Sequence, residues 1–489
     1  MWQIFLFLTV ILFILYLILD TKKPHNYPPG PNWLPVIGSY HVFYKLYKEL
    51  EFTHLVWARL AKMYGPITGI RLGRDRLVIA TDNKTVREIL TRDEFDARPD
   101  GFFFRMRSFG QRFGIVFVDG PFFNEQKKFC MKHLKSFGLN RSIMEDRITV
   151  ETTELIAAIK SSSNRPITVP NILGVSVVNS LWSMVAGERF KVGDSRPLEL
   201  LNFISLGFRL QDMSGGLLNQ MPFLRFIAPE LSSFNKVRLV LNTLTKFLQN
   251  LINEHRKTVS SYENRDLIDA YLNEIDKNRD GFTEQQLVVL LLDLFLAGAE
   301  TTQSTLGYAI LMLLHFPQIQ KILQDEIDTV CGSNVPEVQH RSKLTYFEAF
   351  FMELQRYTNV TPTTVSHRAT KDTDVLGYSI PQDTVILANL YSLHMDKEHW
   401  GDPEIFRPER FLDEKKCIIN DEWFLPFGIG KRRCLGEIYA KMSLFLFLSS
   451  ILYHFTVTPV PGEPVPTIKG LDGATICPRP FQCMFVSRR

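Results

Sequence analysis

The clearest chemistry in the chain lies at one cysteine near the C-terminus. Cys434 follows three cationic residues, 431–433, and precedes a strongly apolar segment, 437–455, whose pattern predicts a helix. Nearby cations and a helix N-terminus both favour the thiolate form of a cysteine. A thiolate in such a place acts as a metal ligand or a nucleophile, whereas most lone cysteines are buried and inert. The neighbours of Cys434 alone leave these alternatives open.

A second group of reactive side chains lies inside another apolar segment. Glu300 and Thr301 follow the small residues 297–299, where Gly298 costs about 1 kcal/mol relative to alanine inside a helix. This cost indicates that the position requires a glycine. An acid beside an alcohol can transfer protons. The alternatives are a solvent-exposed Glu300 and a Thr301 hydroxyl that bonds back to its own helix.

Two helices are predicted to position these groups. Residues 283–286 form a capping box, and the apolar run that follows extends to about His315, which predicts a central helix of some nine turns. Residues 345–348 form a second capping box, which opens a helix that carries Glu353 and Arg356. These two residues share a helix face, and an ordinary ion pair is the usual explanation of that spacing.

The remaining segments predict a mainly α-helical protein with a small β part. Residues 70–72 and 76–80 read as the two strands of a hairpin, and short strand candidates follow at 384–389 and near the C-terminus. The apolar fraction of 45%, with 38 phenylalanines, predicts a large interior that can hold a cofactor.

Charge and cysteine usage exclude several classes of protein. The net charge is +4 and the basic residues form no long runs, which argues against nucleic-acid binding. The six cysteines lack paired short spacings, which argues against a zinc ribbon and a disulfide framework. The bulk of the chain is therefore expected in a reducing, cytosol-facing environment.

The N-terminal segment predicts a membrane location. Residues 2–19 carry no charge and reach about 27 Å as a helix, which can span a thin bilayer such as that of the endoplasmic reticulum. A cleaved signal peptide is the alternative, but a basic region before the apolar run and a small-residue cleavage pattern are missing. Lys22, Lys23 and His25 follow the span and predict that the rest of the chain faces the cytosol. Residues 24–38 are rich in proline and form a stiff linker or a strut.

The loop around Cys434 carries a family resemblance. The spacing Phe427-x-x-Gly430-x-Arg432-x-Cys434-x-Gly436 resembles the haem-binding loop of the cytochromes P450. The resemblance extends from the N-terminal apolar segment to the end of the chain, with the elements in the same order. It implies the cytochrome P450 fold in a single large catalytic domain, residues 39–489.

The same resemblance implies a haem b cofactor and the residues that hold it. Cys434 would be the axial thiolate ligand of the iron, and Phe427, Gly430 and Gly436 would form the loop beside the haem. A thiolate ligand suits oxygen activation rather than oxygen carriage.

Basic residues elsewhere in the chain match those that bind the haem propionates. Arg432 and His367 would form these bonds, and Arg98 also resembles a propionate-binding arginine, with a surface salt bridge as the alternative for Arg98.

In the family, the segment with Glu300 and Thr301 passes over the open face of the haem, where its small residues make room for oxygen and substrate. The resemblance makes Glu300 and Thr301 the acid and alcohol that deliver protons during oxygen activation. It also makes Glu353, Arg356 and Arg410 a buried structural charge cluster behind the haem.

One segment departs from the family pattern. Many members have a tryptophan and an arginine where this chain has Phe123 and Lys127, so propionate binding by Lys127 is expected to be looser. Together with Lys128, Lys132 and Lys135, Lys127 forms either a basic face for an acidic redox partner or a solvated lysine face.

The resemblance predicts a monooxygenase that inserts one oxygen atom of O2 into a lipophilic molecule. Electrons would come from NADPH through a membrane reductase, with cytochrome b5 as a second candidate partner. The alternatives are a haem-thiolate isomerase or dehydratase, which the Glu300–Thr301 pair disfavours, and a non-catalytic haem-binding protein.

The sequence as a whole resembles animal microsomal members of the family, including insect isoprenoid-hormone epoxidases. Many of the predicted pocket walls are apolar. By the resemblance, the full set of predicted wall residues is Phe102–Phe104, Phe113, Val116, Phe117, Phe295, Ala299, Val360–Val365 and Leu471–Ala474.

Overall fold

The computed structural model describes residues 2–139, 141–162, 165–191, 194–260 and 262–489. These residues are mainly helical with small sheets, as predicted. The helices are α1 (Trp2–Asp20), α2 (Tyr40–Leu50), α3 (Thr53–Tyr64), α4 (Asn83–Thr91), α5 (Phe102–Met106), α6 (Gly120–Leu134), α7 (Arg141–Ser161), α8 (Val169–Ala186), α9 (Arg196–Leu210), α10 (Gly216–Gln220), α11 (Leu224–Ile227), α12 (Phe234–Thr258), α13 (Leu267–Asp276), α14 (Glu284–His315), α15 (Pro317–Cys331), α16 (Thr345–Thr358), α17 (Leu390–His394), α18 (Lys397–Trp400) and α19 (Glu437–His454).

Three small sheets accompany the helices. Their strands are β1 (Ile67–Leu72), β2 (Asp75–Ala80), β3 (Ile167–Thr168), β4 (His367–Arg368), β5 (Thr373–Val375), β6 (Tyr378–Ile380), β7 (Val385–Ala388), β8 (Phe455–Thr458) and β9 (Gln482–Ser487). The strand orders are β1-β2-β7-β4, β3-β9-β8 and β5-β6. The hairpin β1–β2 is confirmed, with Ile67 opposite Ala80, and so is the strand predicted at 384–389. In the first sheet β4 pairs with β7, which positions His367 opposite Ile386.

The central helix α14 begins and ends as predicted, but its capping box is only half formed. The Thr283 side chain accepts a hydrogen bond from the Gln286 backbone N–H at 3.1 Å. The Gln286 side chain does not return to Thr283. Its Oε1 accepts from the Gly114 N–H at 2.6 Å and its Nε2 donates to the Gly114 carbonyl at 3.1 Å, which ties the segment before α6 to α14.

The capping box predicted for α16 is wrong. Thr345 is the first residue of the helix and makes no side-chain cap, and Glu348 pairs with Arg341 at 2.8 Å instead. The carboxylate of Glu326, on α15, accepts the backbone N–H groups of residues 346 and 347 at 2.8 and 2.9 Å. A carboxylate from a neighbouring helix therefore caps α16 in place of the local threonine.

The main core packs around α14, which crosses the protein against α8 and α19. Both α8 and α14 are long and apolar enough to cross a membrane, yet 78% and 67% of their most apolar stretches are buried within the protein. A helix that is apolar on all sides is expected in the core of a large domain. We therefore assign α8 and α14 to the core of the domain.

The N-terminal helix α1 differs from these core helices because most of its described apolar side chains are exposed, among them Trp2, Phe5 and Leu12. At its end, the Asp20 carboxylate forms an ion pair with Arg71 of β1 at 2.7 Å.

The proline-rich segment lies against the first sheet. Tyr27 and Trp33 are buried, and the Tyr27 hydroxyl donates to the Leu77 carbonyl at 3.0 Å. The backbone N–H of Gly69 donates to the Pro29 carbonyl at 2.8 Å. These contacts hold residues 24–38 on the domain.

Candidate active site

Two glycines shape the loop that carries Cys434. Gly430 has a φ of 74°, and a Cβ at this position would lie 2.0 Å from the Leu90 carbonyl oxygen of α4. A glycine is therefore required for the loop to pack on α4. Gly428 also has a positive φ, of 66°. The backbone N–H of Cys434 donates to the Phe427 carbonyl at 3.0 Å and closes the loop.

Cys434 lies two residues before Gly436, the N-cap of α19, as the sequence predicted. The thiol is free and opens into a cavity. Burial by the surrounding protein raises the pKa of the Cys434 thiol, while a hydrogen bond from the Gly436 backbone and the charge of Arg433 lower it.

The cationic neighbours of Cys434 have other partners. Arg433 pairs with Glu437 at 2.7 Å, and Lys431 pairs with Asp93. Arg432 donates to backbone carbonyls. Burial is thus the largest influence on the Cys434 thiol and raises its pKa, while Arg433 lowers that pKa and its partner Glu437 raises it.

The cavity beside Cys434 has a volume of about 490 Å³. Phe427, Gly428 and Gly436 of the loop form part of its wall. Helices α6, α8, α9, α12, α14 and α19 contribute much of the remaining apolar lining. Several basic side chains also line it, among them Arg98, His367 and Arg432.

Arg98 is buried, so the alternative of a surface salt bridge is wrong. Its Nε donates to the Val116 carbonyl at 3.1 Å, and its Nη1 donates to the carbonyls of Val365 and Ser366 at 2.9 Å. Burial, together with the nearby charge of Arg432, lowers the pKa of Arg98 to about 9. Arg98 thus presents a positive charge within the cavity wall.

Arg432 is held in a similar way. Its Nε donates to the Asp96 carbonyl at 2.9 Å and its Nη2 donates to the Val118 carbonyl at 2.8 Å. Burial lowers the pKa of Arg432 to about 10. The guanidinium Cζ lies 3.7 Å from the centre of the Phe123 ring, a cation–π contact that gives Phe123 a role without an indole N–H.

His367 is buried at the edge of the first sheet. Its Nδ1 donates to the Phe95 carbonyl at 2.7 Å. Burial holds the pKa of His367 well below its ordinary value, and the charges of Arg98 and Arg432 act in the same direction. Binding a carboxylate through Nε2 requires the protonated ring, which the negative charge of that carboxylate would favour.

Haem fits this set of residues. Gly428 and Gly436 line the cavity, and a Cβ on either would meet open space, so the loop offers a bare backbone surface to a flat group beside the thiol. Nη1 of Arg432 and Nη2 of Arg98 have no hydrogen-bond partner within the described ranges, which leaves N–H groups for the two propionates.

Two residues predicted to bind the cofactor, Lys127 and Gly430, are not among the described residues that line the cavity. Lys127 donates from Nζ to the Lys431 carbonyl at 3.0 Å, and Gly430 packs on α4 instead. Lys127 therefore supports the loop from behind. Lys128, Lys132 and Lys135 are exposed beside it.

On α14 the structure separates the predicted acid–alcohol pair. Thr301 lines the cavity, and its Oγ1 donates to the Ala297 carbonyl at 2.7 Å. Glu300 is buried but is not among the described residues that line the cavity. Its carboxylate pairs with Arg209 of α9 at 3.1 Å. Burial raises the pKa of Glu300, and Arg209 opposes this.

Gly298 lines the cavity, and it is also required for the packing of two helices. A Cβ there would lie 2.7 Å from Cδ2 of Leu181, so the glycine lets α8 approach α14. Close helix packing, in addition to room for a ligand, explains its cost in helix stability.

The buried charge cluster is formed as predicted. Glu353 pairs with Arg356 at 2.6 Å and with Arg410 at 3.2 Å, and both Glu353 and Arg356 are fully buried. Arg356 also donates to the His394 carbonyl at 2.6 Å. The His394 ring accepts the backbone N–H of Leu425 at 3.1 Å, so the cluster is linked to the chain just before the cysteine loop.

The predicted pocket walls are correct in part. Those that line the cavity are Phe103, Val116, Phe117, Val360, Thr361, Thr364, Val365 and Ala474. The wall formed by the described residues does not include Phe102, Phe104, Phe113, Phe295, Ala299, Pro362, Thr363, Leu471, Asp472 or Gly473. Phe295 instead packs against Trp182 of α8, with ring centres 4.5 Å apart, because α14 turns another face to the cavity.

The sequence reasoning missed a polar part of the wall. Arg107 and Asp293 form a buried ion pair there, and Gln211 lies in the same wall. An aspartate inside the apolar run of α14 was a signal that could have identified this pair.

Comparisons with known proteins agree with this geometry. The family model "Cytochrome P450" matches residues 28–485. Farnesoate epoxidase of Bombyx mori is 37% identical over 486 residues, 99% of this chain and 98% of the relative. A probable cytochrome P450 305a1 of Drosophila melanogaster is 38% identical, with 99% of each chain covered. Cytochrome P450 2J5 of Mus musculus is 34% identical, with 99% and 96% covered. The chain belongs to the cytochrome P450 family and is a haem-thiolate monooxygenase.

Proposed function

We propose that this monooxygenase hydroxylates or epoxidises a lipophilic molecule at the membrane of the endoplasmic reticulum, with electrons from NADPH through a reductase. One observation carries the proposal: the free thiol of Cys434 and the small-residue face of α14 at Ala297 and Gly298 line the same largely apolar cavity. A lipophilic substrate is expected there because burial of apolar surface drives its binding.

The residues of the cavity have distinct proposed roles toward the cofactor. Cys434 would bind the iron, while Arg98, His367 and Arg432 would hold the propionates. When bound, the haem iron supplies oxygen activation, and a thiolate ligand favours O–O cleavage. Phe427 and Gly436 would contact the haem, and Gly430 would keep the loop on α4.

The substrate class is proposed from the cavity and from one relative. The wall is formed largely by aliphatic and aromatic side chains, contributed by α6, α8, α9, α12, α14 and α19 among other segments. Similarity to a farnesoate epoxidase makes isoprenoids the first class to test.

Substrate-dependent NADPH consumption by the purified protein with a reductase tests this function. We expect oxidised product to form together with NADPH loss. Product formation without NADPH would instead indicate an isomerase or dehydratase. A ligand-binding protein without turnover would consume no NADPH in response to any isoprenoid, fatty acid, steroid or aromatic compound that changes the haem spectrum.

We propose that Thr301 passes protons into the cavity and that Glu300 supplies them. Burial favours the protonated form of Glu300, and release from Arg209 would let its carboxyl turn toward Thr301. Replacing Thr301 with alanine is expected to lower product formed per NADPH on the order of 100-fold, because the hydroxyl that carries the proton is lost. Product and NADPH are measured together in the reconstituted enzyme, and Glu300→Gln is expected to lower the same ratio.

Ser304→Ala is the matched control for this prediction, because Ser304 is buried on α14 but outside the wall that the described residues form. It should leave the ratio unchanged. A Thr301→Ala enzyme that couples NADPH to product as well as the unaltered enzyme would contradict the proposed role.

We propose that α1 is the membrane anchor. Its 19 residues reach roughly 28 Å, enough for a thin bilayer, and most of its described apolar side chains are exposed. Lys22 and Lys23 favour a cytosolic catalytic domain. When microsomes are extracted with alkaline carbonate, the full-length protein should stay in the membrane pellet. Deletion of residues 2–19 is expected to release the protein into the soluble extract, because the spanning segment is gone. Full-length protein in the same microsomes is the control, and carbonate-resistant truncated protein would show that α1 is not the anchor.

The exposed lysines of α6 are the proposed docking face for the reductase, with cytochrome b5 as a further candidate partner. Lys128 and Lys132 are exposed on α6, and Lys135 follows its C-terminal end. A basic face favours association with an acidic partner and makes the rate sensitive to salt.

A further inference from the structure

A buried ion pair lies in the wall of the substrate cavity. Arg107 directly follows α5 and Asp293 belongs to α14, and their side chains are only 3% and 1% exposed. Nη2 of Arg107 donates to Oδ1 of Asp293. Oδ2 of Asp293 accepts the backbone N–H groups of Ile115 and Val116 at 2.7 and 2.8 Å. The Asp293 carboxylate is therefore occupied by three donors.

Arg107 retains an unused donor. A guanidinium offers five N–H groups in a planar fork, and Nη1 of Arg107 is buried without a hydrogen-bond partner in the part of the chain that the structure describes. An unpaired buried N–H is costly, and a charged one more so. Because Arg107 lines the cavity, a ligand there can supply the missing acceptor.

The surroundings of Arg107 favour a ligand that is apolar along most of its length. Its Cζ lies 5.1 Å from the centre of the Phe117 ring, and Phe103 lines the same wall. Asp212 also reaches the wall, but its Oδ1 accepts the backbone N–H groups of Ser214 and Gly216 at 2.7 and 3.2 Å. Most of the remaining lining is hydrocarbon, so Arg107 offers a localised polar contact.

We propose that Arg107 is a specificity-determining residue that binds a carbonyl oxygen, of a carboxylate or an ester, at one end of a lipophilic substrate. The hydrocarbon chain of the substrate then extends through the apolar cavity toward Ala297 and Thr301 of α14, so that a carbon remote from the carbonyl is oxidised. This inference rests on the proposed oxidation of lipophilic molecules in this cavity and adds the polar group by which they are recognised. Asp293 is a positioning residue that orients the Arg107 guanidinium.

Spectral titration of the full-length haem protein with three compounds of equal chain length tests the inference. The compounds are dodecanoic acid, methyl dodecanoate and dodecane. We expect the acid, the ester or both to bind about 10- to 100-fold more tightly than dodecane, the range of a charge-assisted hydrogen bond. The acid and ester arms distinguish a carboxylate from a neutral carbonyl.

Arg107→Met should raise the Kd of the preferred compound to that of dodecane and leave the Kd of dodecane unchanged. Arg105→Met is the matched control, because Arg105 lies two residues away, is half exposed and pairs with Asp100 at 2.6 Å. It should leave all three Kd values unchanged. If Arg107→Met fails to retain haem, the double variant with Asp293→Asn, which removes the stranded charge, should show the same loss of preference.

Equal binding of all three compounds by the unaltered protein would overturn the inference. So would a carbonyl preference that survives in an Arg107 variant with normal dodecane binding. In both cases the spectral response to dodecane would still support lipophilic binding in this cavity. A haem protein whose spectrum responds to none of the compounds would instead overturn the proposed lipophilic site, and the inference with it.

Discussion

Replacing Cys434 with alanine is expected to abolish the thiolate-type reduced carbon-monoxide spectrum and all oxygenase activity. Alanine has no atom that can bind iron, and the residues proposed to hold the propionates, Arg98, His367 and Arg432, would supply no thiolate. The thiol opens into the cavity beside the bare backbone of Gly428. The measurement is the carbon-monoxide difference spectrum of the purified variant, together with its haem content per chain.

Cys417→Ala is the matched control, because Cys417 is the other exposed free cysteine in the part of the chain that the structure describes. It should keep a normal spectrum and haem content, since Cys417 lies outside the described cavity wall. A normal thiolate spectrum from the Cys434 variant would mean that the iron is bound elsewhere, and the assignment of the site would be wrong.

The second large effect is expected from the buried charge cluster. Arg356→Leu should lower the free energy of unfolding by about 3–5 kcal/mol, because Glu353 is left in the core with a single charged partner, Arg410. Haem content should fall as well, since Arg356 supports His394, which in turn bonds the backbone of Leu425. Urea unfolding followed by haem absorbance and tryptophan fluorescence measures both effects.

An ion pair made by another residue of the same helix provides the comparison. Glu348 pairs with Arg341 at 2.8 Å, but 26% and 25% of their side chains are exposed. Glu348→Gln is expected to cost less than about 1 kcal/mol, because water already screens the pair. If the Arg356 variant were no less stable than the Glu348 variant, the cluster would not have the structural role proposed for it.

The spacing of residues in the loop predicted the candidate cysteine site through its resemblance to the haem-binding loop of the cytochromes P450. Gly430, Arg432 and Cys434 lie within five positions, so their geometry depends on a short stretch of backbone. The ends of α14 and α19 were predicted for a similar reason, since long apolar runs with clear stop signals specify helices locally. The charge cluster was predicted only through the family resemblance, because a pair spaced three apart on a helix is common.

Several functional features depended on residues far apart in the chain. Glu300 is turned to Arg209, 91 residues away, and Thr301 alone of the predicted pair lines the cavity. The α16 cap comes from Glu326 rather than from the local Thr345. Lys127 lies behind the loop rather than in the cavity wall as described. None of these partners could be identified from spacing along the sequence.

The amino-acid sequence by itself determined the reactive loop, the central helix and the mainly helical class, because these depend on glycine conformations, hydrogen bonds between near neighbours and apolar periodicity. The tertiary structure decided which side chains line the cavity and which charges are paired. The physical reason is that a buried charge must find a partner wherever the packing of distant elements provides one, as Arg107 does at Asp293.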